Sequence, residues 1–280
     1  MAKKQTTVFD YISWRGDISL SELAPNEVDS LVFSLISYID FDGIVVGIPF
    51  DTHHEEMKIL TAKISFREIR RYLRRHKGEN QKLGLIMPKE SILLLARAAK
   101  SKRFGETRLT GYVNHICDGE QKQFSALTFR WRGADEREKA FVAFRGTDDT
   151  IIGWKENFNM SFMQPVPSQL EAVAYLEEIS RITDADIYVG GHSKGGNLAV
   201  WSAVHAEKNV RDAITSVYNF DGPGFLHDVK SSEGYRDIEK RINTIVPERS
   251  VVGMFFYDGA RYRTVKSSAK GLYQHDAMSW

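Results

Sequence analysis

The chain has 280 residues, of which 42% are hydrophobic and 27% are charged. This composition is typical of a globular protein and excludes the collagen-like, fibrous and disordered classes. The 38 Lys and Arg residues and 37 Asp and Glu residues leave a formal net charge of +1. That balance argues against a dedicated nucleic-acid-binding protein, which usually carries a basic excess. The single cysteine, Cys117, excludes an intramolecular disulfide and a cysteine-rich metal site.

Hydropathy along the chain predicts a cytoplasmic protein. The segment 1–17 contains two lysines but lacks the apolar run that follows them in a secretory signal peptide. No stretch approaches the roughly 18 continuous apolar residues of a membrane helix. We therefore expect neither export nor membrane insertion.

Residues 1–104 predict a helical N-terminal portion, with helices over 26–39, 55–77 and 88–101, where apolar residues recur at helical spacing. The piece 67–77 concentrates six Lys and Arg residues. It could make a peripheral contact with an anionic membrane surface. The near-neutral charge of the whole chain instead favours a solvated helix face.

The pattern changes near residue 105. An Asp-Gly turn between two apolar runs predicts a hairpin over 107–131, because this dipeptide accepts positive φ. A third strand is predicted at 139–147, and helices then alternate with strands. Such alternation predicts an α/β fold with a mostly parallel central sheet flanked by helices. We expect the helical portion 1–104 to pack on a core formed by residues 105–280.

The clearest chemical motif is Gly-His-Ser-Lys-Gly at 191–195, between an apolar strand and a helix. In a nucleophile elbow the serine occupies a tight strand-to-helix turn, where small neighbours are needed to avoid the nearby backbone. The helix amino terminus then directs amide donors toward a developing oxyanion. The motif therefore predicts Ser193 as a nucleophile; a glycine-rich turn for packing or phosphate binding is the alternative.

A nucleophilic serine needs a positioned base and an acid. The chain order serine, acid, histidine favours His275 as the base, because it follows the last predicted strand. His227, after a Gly-Pro-Gly turn, remains an alternative base. Asp221 and Glu248 follow neighbouring predicted strands, and either could orient the imidazole.

Two backbone donors are predicted for the oxyanion. One is the N–H of Lys194, directly after the serine, and the other belongs to Thr147, at the end of the strand 139–147. The segment 151–167 is neither cleanly helical nor a strand. Its aromatic residues could form an acyl-binding wall or a lid: Trp154, Phe158 and Phe162.

Three pieces together resemble the class 3 lipases of the α/β-hydrolase fold: Phe-Arg-Gly-Thr at 144–147, Gly-His-Ser-Lys-Gly-Gly at 191–196, and the late His275. Trp154 also looks like a residue of that family's loop. Over nearly the whole chain, the sequence is more similar to an uncharacterised bacterial family of class-3-lipase-like proteins. The segments that carry this likeness are 10–17, 26–29, 219–225, 250–253 and 274–280. The resemblance implies an α/β-hydrolase fold and a serine hydrolase.

The chain also departs from the class 3 lipases. They usually have an aspartate just before a Val-Pro pair, whereas here Thr244 and Ile245 precede Val246-Pro247. Lys194 replaces the apolar residue common after the lipase serine. A cation near the oxyanion could alter substrate preference.

We therefore expect a serine hydrolase of the esterase or lipase type that cleaves an acyl ester, small or lipid-like, through an acyl-serine intermediate. No cofactor, metal or nucleic-acid partner is expected. The alternatives are thioesterase or acyltransferase chemistry, and a non-catalytic binding or regulatory protein on a hydrolase scaffold.

Overall fold

One eight-stranded sheet forms the centre of the chain. The computed structural model describes residues 5–45, 47, 64–76, 90–147, 151–226, 228–256, 259 and 261–280. The strands are β1 (Ile64–Ser65), β2 (Arg108–Cys117), β3 (Lys122–Arg132), β4 (Glu138–Phe144), β5 (Asp186–His192), β6 (Ile214–Phe220), β7 (Ile242–Pro247) and β8 (Tyr262–Val265). They follow one another across the sheet in chain order. Pairs from β1 to β4 are antiparallel, and pairs from β4 to β8 are parallel.

Helices cover both faces of this sheet. They are α1 (Val8–Arg15), α2 (Glu27–Ile36), α3 (Phe66–His76), α4 (Glu90–Ala98), α5 (Ile151–Asn159), α6 (Pro167–Ile182), α7 (Lys194–His205), α8 (Lys208–Ala213) and α9 (Glu233–Ile238). Among the described residues, no helix is both long and apolar enough to cross a membrane. The predicted α/β class with a mostly parallel, helix-flanked sheet is confirmed.

Several local predictions need correction. The predicted helix over 55–77 is too long, because Ile64 belongs to β1 and α3 begins at Phe66. The piece 51–63 lies outside the described residues. The segment 151–167 is largely helical, because it contains α5 and the start of α6. The hairpin is present, but the positive φ falls on Gln121, at 50°, and not on Gly119. The short strand β8 was not predicted.

The order of the parallel strands explains why the N-terminal helices are needed. Crossovers between parallel strands are right-handed, so a sheet wound in one direction places its crossover helices on one face. Side chains of α6, α7 and α9 form the hydrophobic core on that face. The opposite face is covered by α1, α2 and α4. On this face Phe33 is fully buried, and its ring stacks on Phe129 of β3 at 4.7 Å.

A buried ion pair holds the N-terminal portion together. Arg103 Nε donates to Asp29 Oδ1 at 2.6 Å, and both side chains are fully buried. The Arg103 guanidinium also donates to the backbone carbonyls of Ile18 and Leu23. Tyr11 of α1 donates its hydroxyl hydrogen to the same carboxylate at 2.9 Å. The pair therefore links α1, α2 and the segment that precedes β2.

We predict that Asp29→Asn strongly destabilises the fold, because it leaves the Arg103 charge buried and uncompensated. Losing one partner of a buried pair costs about 3–5 kcal/mol. Urea unfolding measures this change. The control Glu22→Gln breaks an exposed pair with Lys102 and should leave the unfolding midpoint nearly unchanged. Equal midpoint shifts in the two variants would contradict the prediction.

Candidate active site

Ser193 lies on a sharp turn between β5 and α7. Its φ of 58° and ψ of −133° are unusual for a residue with a side chain. A Cβ atom at Gly191 would collide with the backbone of Gly195, and one at Gly195 would collide with the carbonyl of Phe144. Glycine is therefore required on both sides of the serine. The strand, turn and helix have the geometry of a nucleophile elbow.

The elbow is tied to the neighbouring strand β6, which Asp221 follows. The Ser193 amide donates to the Phe220 carbonyl at 2.9 Å. Asp221 follows Phe220 directly, with a φ of 52°. A Cβ at Gly222 would lie 2.6 Å from the Ser193 carbonyl oxygen, so the two turns are in close contact. Ser193 and Asp221 are adjacent because the parallel strands β5 and β6 end on the same side of the sheet.

His275 pairs with Asp221. The His275 Nδ1 and Asp221 Oδ2 atoms lie 2.6 Å apart, and the Asp221 side chain is fully buried. The second carboxylate oxygen accepts hydrogen bonds from Ser250 Oγ and from the Gly253 amide. Glu248, in contrast, lies on the exposed turn after β7. The structure therefore pairs His275 with Asp221 and not with Glu248.

The Asp221 contact fixes the histidine tautomer. A carboxylate accepts, so Nδ1 of His275 carries a hydrogen and Nε2 is the nitrogen left to accept a proton from a nucleophile. Within the described part of the chain, no hydrogen bond joins the Ser193 hydroxyl to the His275 ring. His227, the alternative base, lies outside the described residues.

His192, just before Ser193, is fully buried, and both of its ring nitrogens make hydrogen bonds. Its Nε2 lies 2.7 Å from the His275 carbonyl oxygen, which can only accept, so Nε2 carries the hydrogen. Its Nδ1 then accepts from the Tyr38 hydroxyl at 3.1 Å. The centroids of the His192 and His275 rings lie 4.6 Å apart. Burial, reinforced by the neighbouring His275, lowers the pKa of His192 well below its usual value.

Sequence reasoning did not predict any site role for Tyr38. It lies within the predicted helix over 26–39, and no motif marks it. In the structure, the Gly146 backbone contacts the Tyr38 hydroxyl, and a Cβ at Gly146 would overlap it. Tyr38 therefore touches both the loop that leads to Thr147 and the histidine that holds His275. Burial raises the pKa of Tyr38, which keeps its hydroxyl protonated.

The Lys194 side chain is buried in a network away from solvent. Its Nζ donates to Glu156 Oε2 and to Gln123 Oε1, each at 2.8 Å, and to the Gln123 carbonyl at 2.5 Å. Glu156 is itself fully buried, and its other oxygen accepts from the Ser168 amide at 3.0 Å. The lysine charge is therefore neutralised inside the protein. This corrects the expectation that it acts as a cation near the oxyanion.

The same network anchors α5, since Glu156 lies on that helix. Thr147 Oγ1 donates to Asn157 Oδ1 of α5 at 2.8 Å, so its hydroxyl is engaged while its predicted backbone role stays a prediction. Phe158 and Phe162 contact each other, with 70% and 58% of their surfaces exposed. Their role as an acyl wall stays a prediction, and the Trp154 side chain lies outside the described residues. Within the described residues, no cluster of His, Cys, Asp and Glu is placed to hold a metal ion.

We predict that His192 makes stability depend on pH. The unfolded chain binds a proton at this histidine below about pH 6.5, while the folded chain does not, so stability falls as pH decreases below that value. The slope from one such group is about 1.4 kcal/mol per pH unit. His192→Gln keeps a donor for the His275 carbonyl and should flatten the dependence. Urea unfolding between about pH 7.5 and pH 5 measures it; parallel curves for the two proteins would contradict the prediction.

No curated protein matches the chain. A crystal structure of M37 lipase is similar at 17% identity and a TM-score of 0.46, covering 82% of this chain and 69% of that one. A Rhizomucor miehei lipase propeptide complex, a deletion mutant, is similar at 12% identity and a TM-score of 0.42, covering 95% and 82%. Neither likeness says anything about the chemistry of this chain.

A family model, unlike these solved structures, shows which family the chain belongs to. The model described as Mbeg1-like matches residues 98–280, which include the elbow, Asp221 and His275. Because this match spans well over half of the chain, the protein belongs to the Mbeg1-like family, a lipase-like family.

Proposed function

We propose that this protein is a serine hydrolase that cleaves an acyl ester through an acyl-serine intermediate. The observation that carries the proposal is the buried pair of His275 Nδ1 and Asp221 Oδ2, 2.6 Å apart, beside the elbow that presents Ser193. An elbow alone is compatible with packing or phosphate binding. An elbow beside an oriented histidine supports nucleophilic catalysis.

In the proposed reaction, Ser193 Oγ attacks the ester carbonyl carbon and its proton passes to His275 Nε2. Asp221 stabilises the resulting imidazolium and holds its orientation. Backbone donors of Lys194 and Thr147 would bind the oxyanion. The C–O bond to the alcohol then breaks, and the alcohol leaves with the proton from His275. A water molecule repeats the sequence on the acyl-serine, releasing the carboxylic acid.

His192 and Tyr38 would act as positioning residues. His192 cannot serve as the base, because Nε2 donates to the His275 carbonyl and Nδ1 accepts from Tyr38. It stays neutral next to the imidazolium that forms on His275, since burial depresses its pKa. Its hydrogen bond would keep the backbone of His275 in place during proton transfer.

An apolar acyl group is the best-supported substrate class. Exposed apolar side chains occur on the segments that follow the carboxyl ends of the parallel strands. They are Phe158, Phe162, Met163, Phe255, Leu272 and Tyr273. Leu272 and Tyr273 belong to the same short helical turn as His275. Thioesters would satisfy the same geometry and are separated from esters only by assay.

We predict that wild-type protein reacts with a fluorophosphonate probe at Ser193 and hydrolyses p-nitrophenyl esters. Ser193→Ala should not be labelled. Asp221→Asn should lower kcat by roughly 10⁴-fold, the loss typical when the base is held in the wrong tautomer. The matched control Glu248→Gln should retain wild-type turnover. A series of acyl-chain lengths, with the corresponding thioesters, then assigns the substrate.

The alternative is a binding or regulatory protein on this scaffold. It is favoured by one observation: in the described residues the Ser193 hydroxyl makes no hydrogen bond to His275. Catalytic hydrogen bonds in ligand-free proteins often tighten only when substrate binds. A wild-type protein that resists the probe, or a Ser193→Ala variant labelled equally well, would reject the hydrolase and leave this alternative.

A further inference from the structure

The outer side of α3 carries a dense row of arginines. On its inner side, this helix buries three apolar residues in the core: Phe66, Ile69 and Leu73. On the opposite side it exposes four arginines: Arg67, Arg71, Arg74 and Arg75. The four line one groove together with Arg70 and with Ala99, which follows α4. We call these four exposed side chains the arginine face.

The arginine face is poorly neutralised by the rest of the described chain. Glu106 contacts Arg67, and the exposed Glu68 accepts two hydrogen bonds from the residue that precedes α3. The other three arginines make no ion pair with an acid among the described residues. Arg71 and Arg75 are four residues apart, and like charges at that spacing destabilise a helix. A negatively charged partner would relieve this repulsion.

The arginine face continues into a layer of helices that also exposes apolar side chains. Helix α4 contacts both α1 and α3, and all three helices pack on the same core. Leu93, Arg97 and Lys100 are exposed on one side of α4 and its end. Arg97 lies over the Phe9 ring of α1 at 4.9 Å, and α1 leaves 70% of Trp14 exposed. The outer surface of this layer therefore combines several cations with large apolar groups.

This surface is separate from the candidate active site. Helix α3 follows β1, which pairs with Arg108 and Leu109 at the start of β2. Strands β2 and β4 run in the same direction, because both are antiparallel to β3. The start of β2 therefore lies at the end of the sheet opposite Ser193. The surface includes none of the residues of the candidate active site.

We propose that the outer surface of α1, α3 and α4 docks the protein on an anionic lipid membrane. The arginine guanidinium matches phosphate oxygens through two parallel hydrogen bonds. From Arg67 to Arg75 the arginine face extends over roughly 12 Å of helix. A membrane presents many anionic headgroups over a broad surface, so it can meet all of these arginines at once.

The exposed apolar side chains favour a membrane over a nucleic acid as the partner. Tryptophan and leucine next to basic residues are typical of surfaces that lie at the boundary between headgroups and acyl chains. Nucleic acids are bound through cations and stacking aromatic rings, so Leu93 would have no role in that case. This proposal does not depend on the proposed hydrolase activity.

The triple variant Arg71→Gln/Arg74→Gln/Arg75→Gln tests the electrostatic part of the proposal. Each arginine near an anionic membrane should strengthen binding about fivefold, so the triple variant should bind roughly a hundredfold more weakly. The fold should be preserved, because glutamine has a helix propensity close to that of arginine and the repulsion between like charges is removed.

The matched control is Arg181→Gln/Lys208→Gln/Arg236→Gln. It removes three exposed cations from helices that pack on the other face of the sheet. Its net charge therefore equals that of the first variant, while the arginine face is intact. We expect it to bind membranes as wild type does.

Flotation of the full chain with vesicles measures binding. We expect binding to vesicles of equimolar phosphatidylcholine and phosphatidylserine, but not to phosphatidylcholine alone. Binding should weaken at high salt, because salt screens exposed charges. Leu93→Gln should weaken vesicle binding and leave any binding of a single-stranded RNA oligonucleotide, measured by fluorescence anisotropy, unchanged.

The proposal is overturned if wild-type protein does not float with the mixed vesicles. It is also overturned if the two triple variants lose binding equally, because the attraction would then depend only on net charge. RNA binding without vesicle binding would assign the surface to a nucleic acid instead. Ser193→Ala should float like wild type, so a failure of the hydrolase proposal would leave this result unaffected.

Discussion

Close backbone approach at the elbow is the constraint on which the candidate active site depends. Between Gly191 and Gly196 the chain passes β4 and β6 so closely that side chains at its glycines would overlap neighbouring atoms. This approach lets the Ser193 amide reach the Phe220 carbonyl. Asp221 follows Phe220 directly and meets His275 in the buried pair. Asp221 is thus placed by the same turn that gives Ser193 its strained backbone, and the two cannot shift independently.

The N-terminal portion takes part in this arrangement because the parallel sheet is wound in one direction. Crossover helices cover one face, and the other needs a separate cover. Tyr38, which follows α2, belongs to that cover, and its hydroxyl meets His192 of β5. The matched family segment begins at residue 98 and so excludes Tyr38. A fragment that begins at residue 105 would lack Tyr38, which is one of the two hydrogen-bond partners of the His192 imidazole.

Local pattern was sufficient for the elbow, the hairpin and the alternating strands and helices, because each is encoded within a few consecutive residues. The choice between Asp221 and Glu248 was not local. It depends on the path of the chain between the short strand β8 and His275. The residues of β8 are mostly exposed, so their hydrophobic pattern does not predict this strand. The Lys194–Glu156 pair joins residues 38 positions apart, so spacing cannot reveal it. The role of Tyr38 could not be recognised from the sequence, because an aromatic ring is expected to be buried whether or not its hydroxyl has a hydrogen-bond partner.

The two ends of the sheet differ in how completely their polar groups are satisfied. At the carboxyl edge, His192 uses both nitrogens, both Asp221 oxygens accept hydrogen bonds, and Lys194 is neutralised by Glu156. That edge is organised before any ligand arrives, as preorganised electrostatic stabilisation requires. At the amino ends of the parallel strands, Arg130 keeps two buried nitrogens, Nε and Nη1, without acceptors among the described residues. Such a group costs about 1–3 kcal/mol when left unsatisfied, so the amino ends of the parallel strands are the less completely satisfied of the two ends.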